Sequence, residues 1–519
     1  MKKAADGRSW VGVTLALTLK ALAVAVMVAL PLLGVWVASS MAALRRGPVW
    51  LTLLAGLLLC PVAPLVWELW SAWRRSTRLV IPVGARRASK TARVLSLSDR
   101  LILRTLALNV VFLTALLATK PSAAFTALSA RGDWMLDGRH DAAANATRTR
   151  LFAAAARLEW LYLAARDNPF RKPTPTPEPE PPETQPSLRP SAPQPSAAPA
   201  ATSTPPAPTS PTATPIPIQT EQTATSSTAE APSWPMSTAL DPSVVDMPAG
   251  SEATIQSVAS YIRERVPTPF ARLKAVHDWV ADRVAYDAES YLAGRYGPQD
   301  AASVFSSHLS VCAGYANLME AMGRAAGLEV VYLSGDARTQ GNDLSGQGHA
   351  WNAARIDGKW YLLDATWDSG FLAGSHFKKR YSTEYFLTPP RIFNLDHLPD
   401  DAKWQLLEKP LSRGEFLRQP ALAPRFFAQG LELVAPDRSQ VDVQGTLEIS
   451  LKNPQNVYLL ASYETRDALD EPRQCDVDAG ALRVSCKFTR PGRYDIKLFS
   501  NRERNGRYDF VGQLQANAN

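Results

Sequence analysis

Residues His349–Asp368 read HAWNAARIDGKWYLLDATWD. At their centre, Asp357–Gly358 separates two strand-like runs and is a two-residue hairpin signal. A turn of that length pairs Ile356 with Lys359. Continued outward, the register sets His349 against Thr366 and Trp351 against Asp364. Residues two apart on a strand point to one face, so His349 and Asp364 become diagonal neighbours within hydrogen-bond reach. A register one residue different sends them to opposite faces.

Upstream, Ala301–Met322 reads AASVFSSHLSVCAGYANLMEAM. Leu318, Met319 and Met322 follow helical spacing and place Cys312 in the first turn of a helix. Backbone amides and the helix dipole there favour a thiolate. A thiol nucleophile needs a base, and the base needs a group that fixes its tautomer. Cys312, His349 and Asp364 suit those three roles in chain order. Spacing alone does not bring Cys312 to His349, and a lone cysteine is commonly an inert buried residue.

The strings SVFSSHLSVCAGYANLMEAMGRAAGLEVVYLSG, GHAWNAARIDGKWYLLDATWD and EYFLTPPRIF resemble the transglutaminase-like superfamily of papain-type thiol enzymes. Within it they are most similar to the branch named after the kyphoscoliosis peptidase. The resemblance covers about residues 255–399 and, more loosely, the tail. It implies that Cys312 is the nucleophile, His349 the base and Asp364 the orienting acid. It implies an α+β fold with the Cys helix on an antiparallel sheet, and acyl transfer on carboxamides through a thioester. The Cys312 amide is a candidate oxyanion donor, with Tyr286 and Tyr315 as weak candidates for a second.

Around these residues, Trp351, Trp360, Tyr361 and Trp367 suit either core packing or a substrate groove. Trp351 and, more weakly, Tyr315 are the substrate-binding candidates. Asp336–Gly348 reads as a loop at the site's rim, a lid or a plain connection. His308, His376 and His397 show no metal spacing and read as surface or satisfied core residues. No metal and no organic cofactor is expected.

Working outward, three apolar segments open the chain, at about 11–40, 49–70 and 101–119. Each is about long enough to cross a bilayer. Ser71–Arg104 carries nine Lys/Arg against one acid, which accounts for the whole formal charge of +8. Between apolar runs, this cluster reads as a cytoplasmic loop rather than a nucleic-acid surface. Three crossings with positive ends inside place everything after Thr119 outside the cytoplasm. Residues 126–171 form an amphipathic helical segment, resting on the membrane surface or on the helices.

Of the 41 prolines, 19 fall within Pro173–Pro235. Residues 172–240 are therefore read as a disordered, semi-rigid spacer suited to holding a domain away from a membrane. Residues 241–410 form the transglutaminase-like catalytic domain. Residues 411–519, with short alternating runs such as Thr446–Leu451 and Tyr494–Phe499, read as a β-sandwich. Cys475 and Cys486 suit neighbouring strands and, outside the cytoplasm, a disulfide. That pairing leaves Cys312 as the free thiol of the soluble part.

The expectation is a multi-pass, membrane-anchored thiol enzyme with extracytoplasmic C-terminal domains. It hydrolyses amide bonds rather than crosslinking, with cell-envelope proteins or peptides as its substrate class. The alternative is a non-catalytic transglutaminase-like binding or scaffold module of the cell envelope. The Ala/Arg/Pro-rich usage suggests a GC-rich bacterial source.

Overall fold

The computed structural model describes residues 10–45, 49–77, 96–137, 139, 141–165, 168–172, 232–338, 346–466, 471–478 and 480–518. Most of the spacer, part of the basic loop (78–95) and the centre of the rim loop (339–345) lie outside the described residues. Met1–Arg171 and Pro232–Asn519 belong to one compact unit.

Among the described residues, three helices are long and apolar enough to cross a membrane: Thr18–Leu44, Trp50–Arg74 and Leu97–Thr119. The second is interrupted at Cys60, whose backbone leaves the helical region before Pro61. This is the break expected where a proline removes a donor and crowds the preceding turn. Near the ends of the second and third helices, Glu68 is buried and paired with Arg100 at 3.2 Å and with Arg104.

The segment after the third helix is not one amphipathic helix. It forms three helices, Pro121–Arg131, Ala142–Ala156 and Glu159–Ala165. These pack against the C-terminal part of the chain. Arg131 pairs with Asp442 at 2.7 Å, and buried Asp133 takes Arg148 at 2.8 Å and Arg438 at 3.1 Å. Arg418 donates to the Ser129 carbonyl at 2.6 Å and lies 3.7 Å over the Phe152 ring. Guanidinium–carboxylate pairs hold the juxtamembrane helices directly on the C-terminal domain, whatever the length of the intervening stretch.

The region that carries Cys312, His349 and Asp364 is built on a five-stranded antiparallel sheet. Its strands are β1 (Glu329–Ala337), β2 (Gln347–Ile356), β3 (Lys359–Leu363), β4 (Phe386–Thr388) and β5 (His397–Pro399), in the order β4-β3-β2-β1-β5. Ile356 pairs with Lys359, as the turn requires. Asp357 and Gly358 both have positive φ, 49° and 79°. This is the mirror-image turn whose twist matches two antiparallel strands. The register holds as far as Asn352–Leu363 and stops there.

The Cys312–Ala325 helix packs on this sheet. Tyr315, Leu318, Met319 and Met322 join Trp279, Val330, Ala354 and Ile356 in the main core. Each buried side chain of this size contributes roughly 1.5–3 kcal/mol. Asn352 donates to the carbonyls of Ala316 at 2.9 Å and Val331 at 3.1 Å, and so fastens the helix to β1 and β2.

The C-terminal region is two sheets around one apolar cluster. Leu447, Ile449 and Leu451 alternate inward from one sheet, and Ile496, Leu498, Val511 and Leu514 from the other. Asp476 pairs with Ser485, and one step further in that register Cys475 is bonded to Cys486.

Candidate active site

Cys312 opens its helix, as the spacing predicts. The cap, however, comes from Gln299, a residue the sequence did not single out. Its Oε1 accepts from the amides of Val311 at 3.3 Å and Gly314 at 3.2 Å, and from Ser310 Oγ at 2.8 Å. These are the donors a helix start leaves without partners.

Asp364 is not a strand residue, so its expected pairing with Trp351 and that of His349 with Thr366 do not form. β3 ends at Leu363, and Asp364 is the N-cap of the short helix Ala365–Ser369. Its amide donates to the Tyr385 carbonyl at 2.9 Å. Its Oδ1 accepts from Thr366 N at 2.8 Å and Trp367 N at 3.3 Å. Two local bonds and the one to Tyr385 thus hold Asp364 out of the ladder with β2, yet leave Oδ2 facing the histidine. His349 Nε2 lies 2.7 Å from that oxygen.

With Nε2 committed to Asp364, Nδ1 is the ring nitrogen left for Cys312, which lines the same cleft as His349. Cys312, His349 and Asp364 are 2%, 6% and 1% exposed. Burial opposes a charged His349. The Asp364 carboxylate, the Cys312 charge and hydrogen bonds to both outweigh it and push the imidazole up to about 9. Burial likewise opposes the Asp364 carboxylate, but His349 and then His397 hold it well below the usual carboxylate range.

Of the two roles the sequence leaves open for His397, surface or satisfied core, the structure shows the second, and it places the ring against Asp364. It is fully buried, with Nε2 3.3 Å from Asp364 Oδ2 and Nδ1 2.7 Å from Asp396 Oδ1. Tyr385 in turn donates to Asp396 Oδ2 at 2.7 Å. Burial disfavours the charged ring, but Asp396 and Asp364 raise its pKa. Trp367 covers both histidines, with ring centroids 5.1 Å from His349 and 4.4 Å from His397. The ligand atoms of His349, Asp364 and His397 lie within 4.8 Å of one another, a spacing compatible with a metal ion.

Trp351 and Tyr315, the substrate-binding candidates, do not reach the opening. Trp351 packs with Leu333, Ala353, Leu362 and Phe393 and is 1% exposed. Tyr315 is fully buried and donates to the Val284 carbonyl at 2.7 Å, so it is also turned away as an oxyanion donor. Both are large apolar residues whose faces the sheet and helix claim for core packing. The walls are formed by others. A cleft of about 790 Å³ is lined by Tyr286, Cys312, His349 and Trp367, and on its far side by Arg425 and Phe499 of the C-terminal region. Tyr286 is close enough to Cys312 that burial first, and then the sulfur's charge, raises its phenol pKa.

Residues 256–365 match the transglutaminase-like superfamily, and residues 413–517 match the KY-like, immunoglobulin-like domain. The kyphoscoliosis peptidase of Mus musculus is 31% identical over 215 residues, covering 39% of this chain and 32% of that protein. The kyphoscoliosis peptidase of Homo sapiens is 30% identical over 214 residues, with 39% and 32% covered. The chain therefore spans about a third of the length of these relatives. A crystal structure of a TGase is 20% identical, covers 22% of this chain and 32% of that one, and has a TM-score of 0.18. Residues 256–365 thus carry a transglutaminase-like domain, similar to part of the kyphoscoliosis peptidases, and the sheet-rich region that follows matches the KY-like, immunoglobulin-like domain.

Proposed function

We propose that this chain is a membrane-anchored thiol enzyme that acts on amide bonds by acyl transfer. The observation that carries the reading is the meeting of Cys312, His349 and Asp364 at one end of an open cleft. The sulfur attacks a carboxamide carbon, and the proton it gives up resides on His349, held there by Asp364. The carbonyl electrons move onto oxygen, which the Cys312 amide and the Tyr286 hydroxyl receive. His349 then protonates the leaving amine, and the acyl group remains as a thioester. Water, deprotonated by His349, completes hydrolysis. The peptidase names of the relatives support this class.

Hydrolysis is favoured over crosslinking because the acids lining the cleft are already paired. Glu384 pairs with Arg425, Asp509 with Arg380 and Arg425, and Asp396 with His397. A cationic amine acceptor finds little free negative charge there. The substrate class is a protein or peptide of the cell envelope. The three apolar helices cross the membrane, and the domains after Thr119 face away from the cytoplasm.

The test is alkylation of the detergent-solubilised full chain by iodoacetamide, followed by peptide mapping. Cys312 labels far faster than a free thiol, and His349→Ala slows it by roughly 10²-fold. Labelling at the free-thiol rate, indifferent to His349, would favour the binding or scaffold module. For topology, a cysteine introduced as Ser226→Cys reacts with an impermeant maleimide in intact cells, and protection would place the domains inside.

A further inference from the structure

Cys312 stands between an open cleft and a filled one. On its filled side Phe170 joins Val311, Cys312, Ala313, Ala316 and Ala350 in a small apolar cluster. Phe170 belongs to the short stretch Asn168–Arg171, which directly precedes the proline-rich residues and lies more than 140 positions before Cys312. It is 7% exposed, and its ring sits 5.4 Å from that of Tyr296.

The stretch is held as a bound peptide would be. Tyr332 Oη donates to the Phe170 carbonyl at 2.6 Å. Asn168 Nδ2 reaches the Gly335 carbonyl and Asp400 Oδ2, both at 3.3 Å. Arg171 pairs with Asp400 at 3.1 Å. The residue beside His349 is shaped around it: a Cβ on Gly348 would lie 2.9 Å from Asn168 Oδ1 and 3.5 Å from the Phe170 ring. Most of these bonds use backbone carbonyls or surface charge, which another peptide could replace.

We infer that Val311, Ala316, Ala350, Tyr296, Tyr332 and Gly348 form a subsite for an aromatic side chain of a peptide substrate, and that Phe170 occupies it in cis as a displaceable competitor. This rests on the proposed acyl-transfer reading for its meaning but not for its test. A tethered occupant competes at high effective concentration. A substrate must therefore present its own aromatic residue at this position, and the segment must leave before the substrate is seated.

The experiment uses the full chain in detergent and two probes. The first is a peptidyl fluoromethyl ketone carrying Phe, compared with its Ala analogue. Phe170→Asp speeds capture of Cys312 by the Phe probe at least tenfold, with little change for the Ala probe. Asn168→Ala combined with Arg171→Ala, which leaves the apolar cluster intact, does the same to a smaller degree. Measurable capture of Cys312 at equal rates in wild type and both variants, at unchanged thermal midpoints, overturns the proposal. The second probe is a fluorescent peptide of residues 166–173, RDNPFRKP. It binds Phe170→Asp in a Cys312→Ala background, where no chemistry can occur, and its Phe-to-Ala analogue binds at least tenfold more weakly. Binding there with no His349-dependent labelling sinks the enzyme reading and keeps the subsite. Failure of the peptide to bind sinks the subsite and leaves the enzyme reading standing.

Discussion

His349 Nε2 lies 2.7 Å from Asp364 Oδ2 inside the protein, although one residue belongs to a strand and the other caps a helix. The pair works against burial, and its strength has a pH signature. The His349 pKa rises from 6.5 to about 9 on folding. The folded chain therefore holds a proton that the unfolded chain releases between those values. The stabilisation is fully present below about pH 6.5 and is lost as pH rises through about 9. Its slope is of the order of 1.4 kcal/mol per pH unit. Denaturant midpoints of wild type and His349→Gln, compared at pH 6 and pH 9.5, will differ most at the lower pH.

The activity profile tests the same pair through His397. Its ring lies 5.4 Å from that of His349, and its raised pKa favours the charged form. His397→Gln removes that cation while keeping a donor near Asp364. The alkaline limb of kcat/KM moves to higher pH, by about one unit, with kcat largely retained. His397→Ala removes the donor as well and lowers kcat about tenfold. A purely structural residue would lower the thermal midpoint without moving the limb.

On the proposed acyl-transfer reading, Tyr286 separates two reactions of the Cys312 sulfur. Alkylation by iodoacetamide develops no oxyanion, whereas acyl transfer does. Tyr286→Phe therefore leaves the alkylation rate of Cys312 within about twofold but lowers turnover of an amide substrate by about 10²-fold. Equal losses in both would assign Tyr286 to holding the site together.

Arg413 and Asp336 form an ion pair across the junction of the sheet and the C-terminal region, and they are 2% and 0% exposed. Removing one partner strands a buried charge. Arg413→Ala should cost about 3–5 kcal/mol in denaturant unfolding. Arg413→Met with Asp336→Leu should recover much of that, because two apolar groups leave no charge to compensate. A loss in the double variant as large as in the single one would show that the pair's other neighbours dominate.

Much of the site was legible in the sequence because its signals are local. Asp357–Gly358 determines its own turn and, through it, the pairing of β2 with β3 as far as Asn352 and Leu363. The first helical turn at Cys312 and the spacing of Cys475 and Cys486 are written within windows of a dozen residues. Asp364 shows the limit of extrapolation. Its backbone is captured by Tyr385 and its Oδ1 by the amides of Thr366 and Trp367, so the ladder stops one residue short of it. The aromatic candidates failed for a related reason: composition marks Trp351 and Tyr315 as large and apolar, but only packing decides whether such a residue faces a groove or the core.

By itself the chain's order of residues determined three membrane-length apolar runs, the hairpin, the thiol at a helix start and an alternating sheet-forming tail, since each depends on neighbours within a turn or a strand. Tertiary structure alone decided that His397 shares the carboxylate of Asp364, that Gln299 caps the Cys312 helix, that the C-terminal region walls the cleft and that Phe170 sits beside the sulfur. Those contacts join residues far apart along the chain, and no local periodicity records which of many distant partners will complete a buried polar group or fill an apolar gap.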